Sequence, residues 1–262
     1  MISKKSLVSL SVRALFARGE VRSIEFFYLA FIGLLASLTQ ASTGFGYAIV
    51  SMALWTLFLP FKDAAVIEAV TAFFMVVGLV VKLHCHINFK LLLFPLLSSI
   101  VTSYLGVLIL MHTSESGLRR ILGAALILLS VYMIIFSDRF RISPTPGNGF
   151  IAGSVSGLFN GMFNLGGPPV IAYFLSATDD KLEYNATLQC YFLFNVICLL
   201  FNHIRLGNLT VPVLQSSFIA MAGVSIGTVG GWFIFKKLSI PIIKKVVYAF
   251  MSFFGAYLVI AG

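Results

Sequence analysis

Charge is what this sequence has least of. Only 10% of its 262 residues are Asp, Glu, Lys or Arg, while 59% are hydrophobic; a soluble domain carries roughly 25% charged residues. Together with a mean hydropathy of +1.01 and several apolar runs near the ~20 residues that cross a bilayer, this excludes a soluble fold. It predicts an all-α polytopic membrane protein. Enzyme signatures are missing too. The sequence holds no HExxH helix, no GxxxxGKS/T phosphate loop and no GxSxG elbow, which points away from an enzyme and from self-contained ATP-driven pumping. Cysteine is scarce and odd in number. Cys85, Cys190 and Cys198 are scattered and form no disulfide framework. "KLHCHIN", from Lys82 to Asn88, alternates ligands along a loop edge without a closing set, so no metal site is expected there.

The charge that is present is basic, a formal +9, and sits in loops and at the N-terminus. Basic loops beside a bilayer mark topology and anionic headgroups, so the expected partner is lipid and not nucleic acid. The segment 1–23 is basic, with Arg13 and Arg18 interrupting any signal-peptide core. It reads either as a short surface helix bearing Leu7, Leu10, Ala14 and Leu15 on one face, or as a tail.

The rest is one segment written twice. Apolar runs at 24–59, 64–81, 91–111 and 118–136 recur, after the linker "SDRFRISPTPGNG", at 150–177, 186–201, 209–235 and 242–261. Asn88 is matched by Asn208 120 positions on, and His84 by His203 at a similar offset. Arg119-Arg120 and Tyr132 are matched by Lys244-Lys245 and Tyr257, 125 positions on. Gly223, Gly227 and Gly231 form a small-residue face for close helix approach, and Ser98, Thr102 and Gly106 are their small counterparts. The expected layout is a first membrane repeat over 24–137, a linker over 138–149 and a second repeat over 150–262. Each repeat has a Gly-rich broken helix or hairpin followed by three transmembrane helices. Whether the halves run parallel or inverted depends on that choice, and the near-even spread of Lys and Arg does not decide it. Duplicated membrane chains are typical of secondary transporters, whose sites lie between repeats near the midplane.

Both repeats open on a break. "TQASTGFGYAIV" (Thr39 to Val50) and "LFNGMFNLGGPPVIAYFL" (Leu158 to Leu175) put polar and flexible residues inside apolar runs. A helix is expected to end near Gln40 and restart near Gly46, and in the second copy to end near Asn160 and restart at about Pro168, where proline suits the first turn. As one helix, 150–177 would span about 42 Å, too long for one crossing and too short for two. Unwound backbone at that depth must be buried in protein or line a wet cavity. Helix N-termini facing such a cavity can hold an anion, and no Arg or Lys lies mid-segment to do so instead. The expected donors are backbone amides at Gly46, Tyr47 and Ala48 and from Gly167 to Ile171. Pro168 and Pro169 donate nothing, which puts weight on Val170 and Ile171. Gln40, Ser42, Thr43, Asn160 and Asn164 add polar side chains, and Gly44 and Gly166 loosen the turns.

"QASTGFGYAIVSMAL" and "FNGMFNLGGPPVIAYFL" resemble the two signature stretches of the sulfite exporter TauE/SafE family, the toluene-sulfonate uptake permease group. The resemblance covers essentially the whole chain after about residue 24. It implies a multi-pass transporter of the bacterial inner membrane that moves sulfite, organosulfonates or related small organic anions, with no cofactor. Direction, coupling ion and homo-oligomerisation stay open. An anion channel on the same halves and a non-transporting assembly protein are the rival classes.

Two further residues stand out. Glu68 is either a proton carrier or, the favoured reading, an interfacial Glu near a helix start. Asn195 either lines the pathway or joins two helices; Gln189, six residues before it, points to another face.

Overall fold

The structure, a computed structural model, describes residues 19–136, 142–235 and 240–261. Residues 1–18 of the basic N-terminal segment and residues 137–141 at the start of the charged linker lie outside the described residues, as do the side chains of Lys244 and Lys245. The described residues form ten α-helices, one short 3-10 turn and no strand. In chain order these are α1 (Gly19–Thr43), α2 (Tyr47–Trp55), α3 (Phe61–Leu83), α4 (Phe89–His112), α5 (Glu115–Phe136), α6 (Pro146–Phe163), α7 (Gly167–Ala177), α8 (Lys181–Arg205), α9 (Val211–Phe235) and α10 (Ile240–Ala261). The 3-10 turn His84–His86 follows α3.

Local chemistry sets these boundaries. Asn88 and Asp180 cap α4 and α8 by accepting from Leu91 N and Leu182 N at 3.1 and 2.8 Å. Thr145 caps α6, and Pro146 occupies its first turn, where a missing N–H costs nothing. Among the described residues five helices are long and apolar enough to cross a bilayer: Glu25–Ser42, Phe61–His86, Phe89–His112, Lys181–Arg205 and Val211–Gly231. Large apolar side chains cover their outer faces, among them Phe27, Val101, Phe218 and Ile226, all exposed. Contiguous apolar surface on that scale is untenable in water and is what lipid requires. The protein is therefore a multi-pass membrane protein.

Helices α2 and α7 do not continue α1 and α6; they turn back along them. The Tyr28 ring near the start of α1 lies 6.4 Å from that of Phe58, beyond the end of α2. Ser176 Oγ on α7 accepts from Ile142 N at 2.9 Å, just before α6. Tyr173 on α7 donates to the Thr145 carbonyl at 3.4 Å. Each break is thus the turn of a helical hairpin. The returning arms, at 1.5 Å per residue, are about 14 and about 17 Å long, roughly half a crossing.

Packing between the two hairpin groups is reciprocal. α1 lies along α9 and α6 along α4; α3 packs on α8, and α5 on α10. Small residues make the two hairpin contacts possible. A Cβ at Gly223 or Gly227 would fall on the carbonyls of Ala30 or Leu34 in α1, and one at Gly157 or Gly161 on those of Ser99 or Ser103 in α4. The repeat-matched residues are less alike. His84 is exposed whereas His203 is buried, and Tyr132 is half-buried whereas Tyr257 is exposed.

Candidate functional site

The two hairpin turns begin alike, on a left-handed residue that stops the helix, and then differ: Gly46 is left-handed whereas Gly166, at φ −74°, is not. At the end of α1 the chain needs left-handed backbone: Gly44 has φ 86° and Gly46 φ 105°. At the end of α6 that position is held by Asn164, the one described non-glycine residue with positive φ, at 60°. Asn tolerates this region better than other side chains. Gly44 N donates to the Gln40 carbonyl at 2.7 Å and Asn164 N to the Asn160 carbonyl at 2.8 Å, so the two helix ends close alike. Both turns lie a few residues past the expected ends at Gln40 and Asn160. One further turn of helix fits before the left-handed residue stops it.

Each turn is held by a helix from the other hairpin group. Gln189 on α8 donates from Nε2 to the Gly44 carbonyl at 3.1 Å. Asn164 donates from Nδ2 to the Ala65 carbonyl at 2.9 Å and to Glu68 Oε2, both on α3. So α8 braces the first turn and α3 the second. The braces Glu68 and Gln189 stand 121 positions apart, the braced residues Gly44 and Asn164 120. Glu68 is 3% exposed, so the expected interfacial placement does not hold. It lies in the second turn of α3, on a face turned into the protein.

Between the turns lies a cavity of about 60 Å³. Its walls are the starts of both returning arms, Gly46 to Ile49 and Gly167-Pro168, with Gln40, Asn160, Asn164 and Glu68 between them. Ala72, Met75 and Val76 of α3 face Phe192, Val196 and Leu199 of α8 as its apolar sides. At ~30 Å³ per water in the liquid it has room for about two waters. Two larger grooves of about 470 Å³ each open elsewhere, on apolar walls that include exposed side chains such as Phe74, Val229 and Ile151.

The free amides are unevenly shared. In an α-helix the first turn leaves its N–H groups without intrahelical partners. On α2 those are Tyr47, Ala48 and Ile49; the first helical bond is Val50 N to the Gly46 carbonyl. Gln40 Oε1 already accepts from Tyr47 N at 3.0 Å, which leaves Ala48 and Ile49 facing the cavity. On α7 Pro168 and Pro169 have no N–H, which leaves Gly167 as the donor of that turn lining the cavity. Val170 and Ile171 are buried in the core and do not line the cavity.

Of the other residues singled out in the sequence, Ser42 donates back to the Leu38 carbonyl at 2.6 Å within α1. The side chain of Thr43 lies outside the described residues. Gly44 and Gly166 shape the turns without lining the cavity. Asn160 lines it and donates to Ser103 Oγ at 3.4 Å. Asn195 is buried off the cavity, with Nδ2 turned back to the Tyr191 carbonyl at 2.9 Å. Three supports escaped the sequence. Gln189 braces the first turn, Ser156 Oγ donates to the Gly166 carbonyl, and Thr71 partners the Tyr47 hydroxyl. Thr71 spends its own proton on the Ile67 carbonyl at 2.7 Å, so Tyr47 is the donor in that pair. Only Gln189 left a usable signal, as a polar residue whose near-match in the other half is Glu68.

The described fold is that of a multi-pass membrane protein with two hairpin turns meeting at one cavity. The chain is a member of the sulfite exporter TauE/SafE family, a family of membrane transporters, whose family model matches residues 29–258. No curated protein and no solved structure matches it.

Proposed function

We propose that this protein is a secondary transporter that moves a small oxyanion, sulfite or a short organosulfonate, across the bacterial inner membrane by alternating access. The observation that carries the reading is the meeting of two returning-arm N-termini at one buried cavity with no Lys, Arg or His in its wall. Each N-terminus contributes partial positive charge, and Ala48, Ile49 and Gly167 contribute free N–H groups, which together suit an anion. A cavity of about 60 Å³ suits a small oxyanion.

The transport cycle rests on two homologous, inverted halves. Each half is a hairpin followed by three helices, an odd number of crossings that turns the second half over. The reciprocal packing of α1 on α9 and of α6 on α4 supports this arrangement, as do the crossed braces. A half that rocks about the α3–α8 contact carries its own returning arm with it and opens the cavity to one side at a time.

The test is uptake of radiolabelled sulfite and methanesulfonate into proteoliposomes. Saturable uptake with trans-acceleration supports the carrier. High unitary conductance in planar bilayers would make it a channel. No binding and no flux for any anion would leave a protein without a substrate.

A further inference from the structure

Glu68 is out of place in an anion site. Its carboxyl group shares the cavity wall with the amides that would hold the substrate, and a second negative charge there repels the first. Bracing the turn does not explain an acid. The matching brace, Gln189, holds Gly44 with an amide, so an amide suffices for the structural task.

We infer that Glu68 is the proton-binding residue of the cavity and that the substrate anion enters only when Glu68 is protonated, so that anion and proton cross together. The inference rests on the anion-transport reading above. A proton from the open aqueous side adds to the Glu68 carboxylate and gives the neutral acid. The anion then occupies the N-terminal amides without facing a like charge. After the halves rock, anion and proton leave to the other side, and the carboxylate is restored. For a monovalent anion the step moves no net charge.

Asn164 is built to serve both states. Its Nδ2 donates to Glu68 Oε2 when the acid is ionised. Its Oδ1 is buried without a partner; a half-turn of the amide brings it to accept from the acid O–H when the group is protonated, in exchange for the Nδ2 bond to the Ala65 carbonyl. The brace on the second turn therefore survives the change of charge.

Few other groups can titrate toward this cavity. From α2 only the Tyr47 phenol lines it, and from the second turn only amides. α9 has no titratable residue. Cys190, Tyr191, Cys198 and His203 of α8 lie off the cavity wall, as do Glu115, Arg119, Arg120 and Tyr132 of α5. On α3 itself, Lys62 and Asp63 are in the first turn and Lys82 in the last, and His84, Cys85 and His86 follow in the 3-10 turn.

The experiment is calorimetric titration of the full-length protein in detergent with methanesulfonate, which stays ionised throughout, from about pH 6 to about pH 10. Buffers of different ionisation enthalpy report protons taken up. Wild type should lose affinity as pH rises, approaching tenfold per unit, and should take up close to one proton per anion at the upper end. Glu68→Gln should bind at every pH at least as tightly as wild type at its best, with no pH dependence. In proteoliposomes it should lose accumulation driven by a pH gradient. Glu68→Asp should keep the pH dependence, and so should His203→Asn. Binding by wild type that is flat with pH and takes up no proton overturns the inference without needing any variant. So does pH dependence that persists in Glu68→Gln or vanishes in His203→Asn. Absence of methanesulfonate and sulfite binding at every pH, in wild type and in Glu68→Gln alike, overturns the anion-transport reading itself.

Discussion

Gly227 and Gly230 stand three residues apart on α9 and should respond to the same substitution with opposite sign. At Gly230 a Cβ would meet nothing within 4 Å. Gly230→Ala therefore collects the helix-propensity gain of about 0.8–1.0 kcal/mol and loses nothing. At Gly227 the new Cβ would come within 2.9 Å of the Leu34 carbonyl carbon and would fall on Leu34 O and Ser37 Oγ. These are the backbone and a short side chain of α1, which cannot swing aside. Gly227→Ala gains the same propensity but must push α1 from α9, an overpacking cost of typically about 1–3 kcal/mol. The propensity gain is common to both and cancels in the difference. Gly230→Ala should thus be more stable than Gly227→Ala by about 1–3 kcal/mol. The assay is reversible unfolding in mixed micelles with increasing dodecyl sulfate, followed by far-ultraviolet circular dichroism. Equal stability of the two variants would refute the claim that backbone-to-backbone approach holds α9 on α1. The pair also separates packing from flexibility, since both changes remove the same glycine freedom.

Gly46→Ala places a side chain at φ 105° with Thr39 Cγ2 at 3.0 Å; it should cost about 1–2 kcal/mol and weaken methanesulfonate binding in calorimetry. Gln40→Leu strands the buried Tyr47 N–H, for a loss of about 1–3 kcal/mol in thermal unfolding, unless the bound anion takes over that donor, in which case saturating ligand should recover most of it. Asn88→Ala removes both the α4 cap and the bond from Nδ2 to Glu183 Oε1 at 2.7 Å. It should destabilise by about 0.5–2 kcal/mol without altering anion affinity, because Asn88 does not line the cavity.

The sequence by itself determined what depends on neighbours along the chain. Apolar runs of crossing length defined the helices, because hydropathy and helical rise are local properties. The clusters Ser42 to Gly46 and Asn164 to Pro169 announced two interruptions, because glycine and proline act on their own backbone. The spacing of Gly223, Gly227 and Gly231 announced a close helix contact, though not its partner. Only the tertiary structure decided what residues some 100 positions apart do to one another. The angle of each turn made hairpins, with their turns buried beside one cavity. Rotation of α3 about its axis carried Glu68 from an expected interface to the cavity wall. Helical phase turned Val170 and Ile171 into the core, while Gln40 folded back across seven residues to occupy the Tyr47 amide. Gln189 was legible as a polar residue in an apolar run, but its partner, the Gly44 carbonyl, lies 145 residues away. A pairing of that kind is set by how helices pack and has no trace in hydrophobic periodicity.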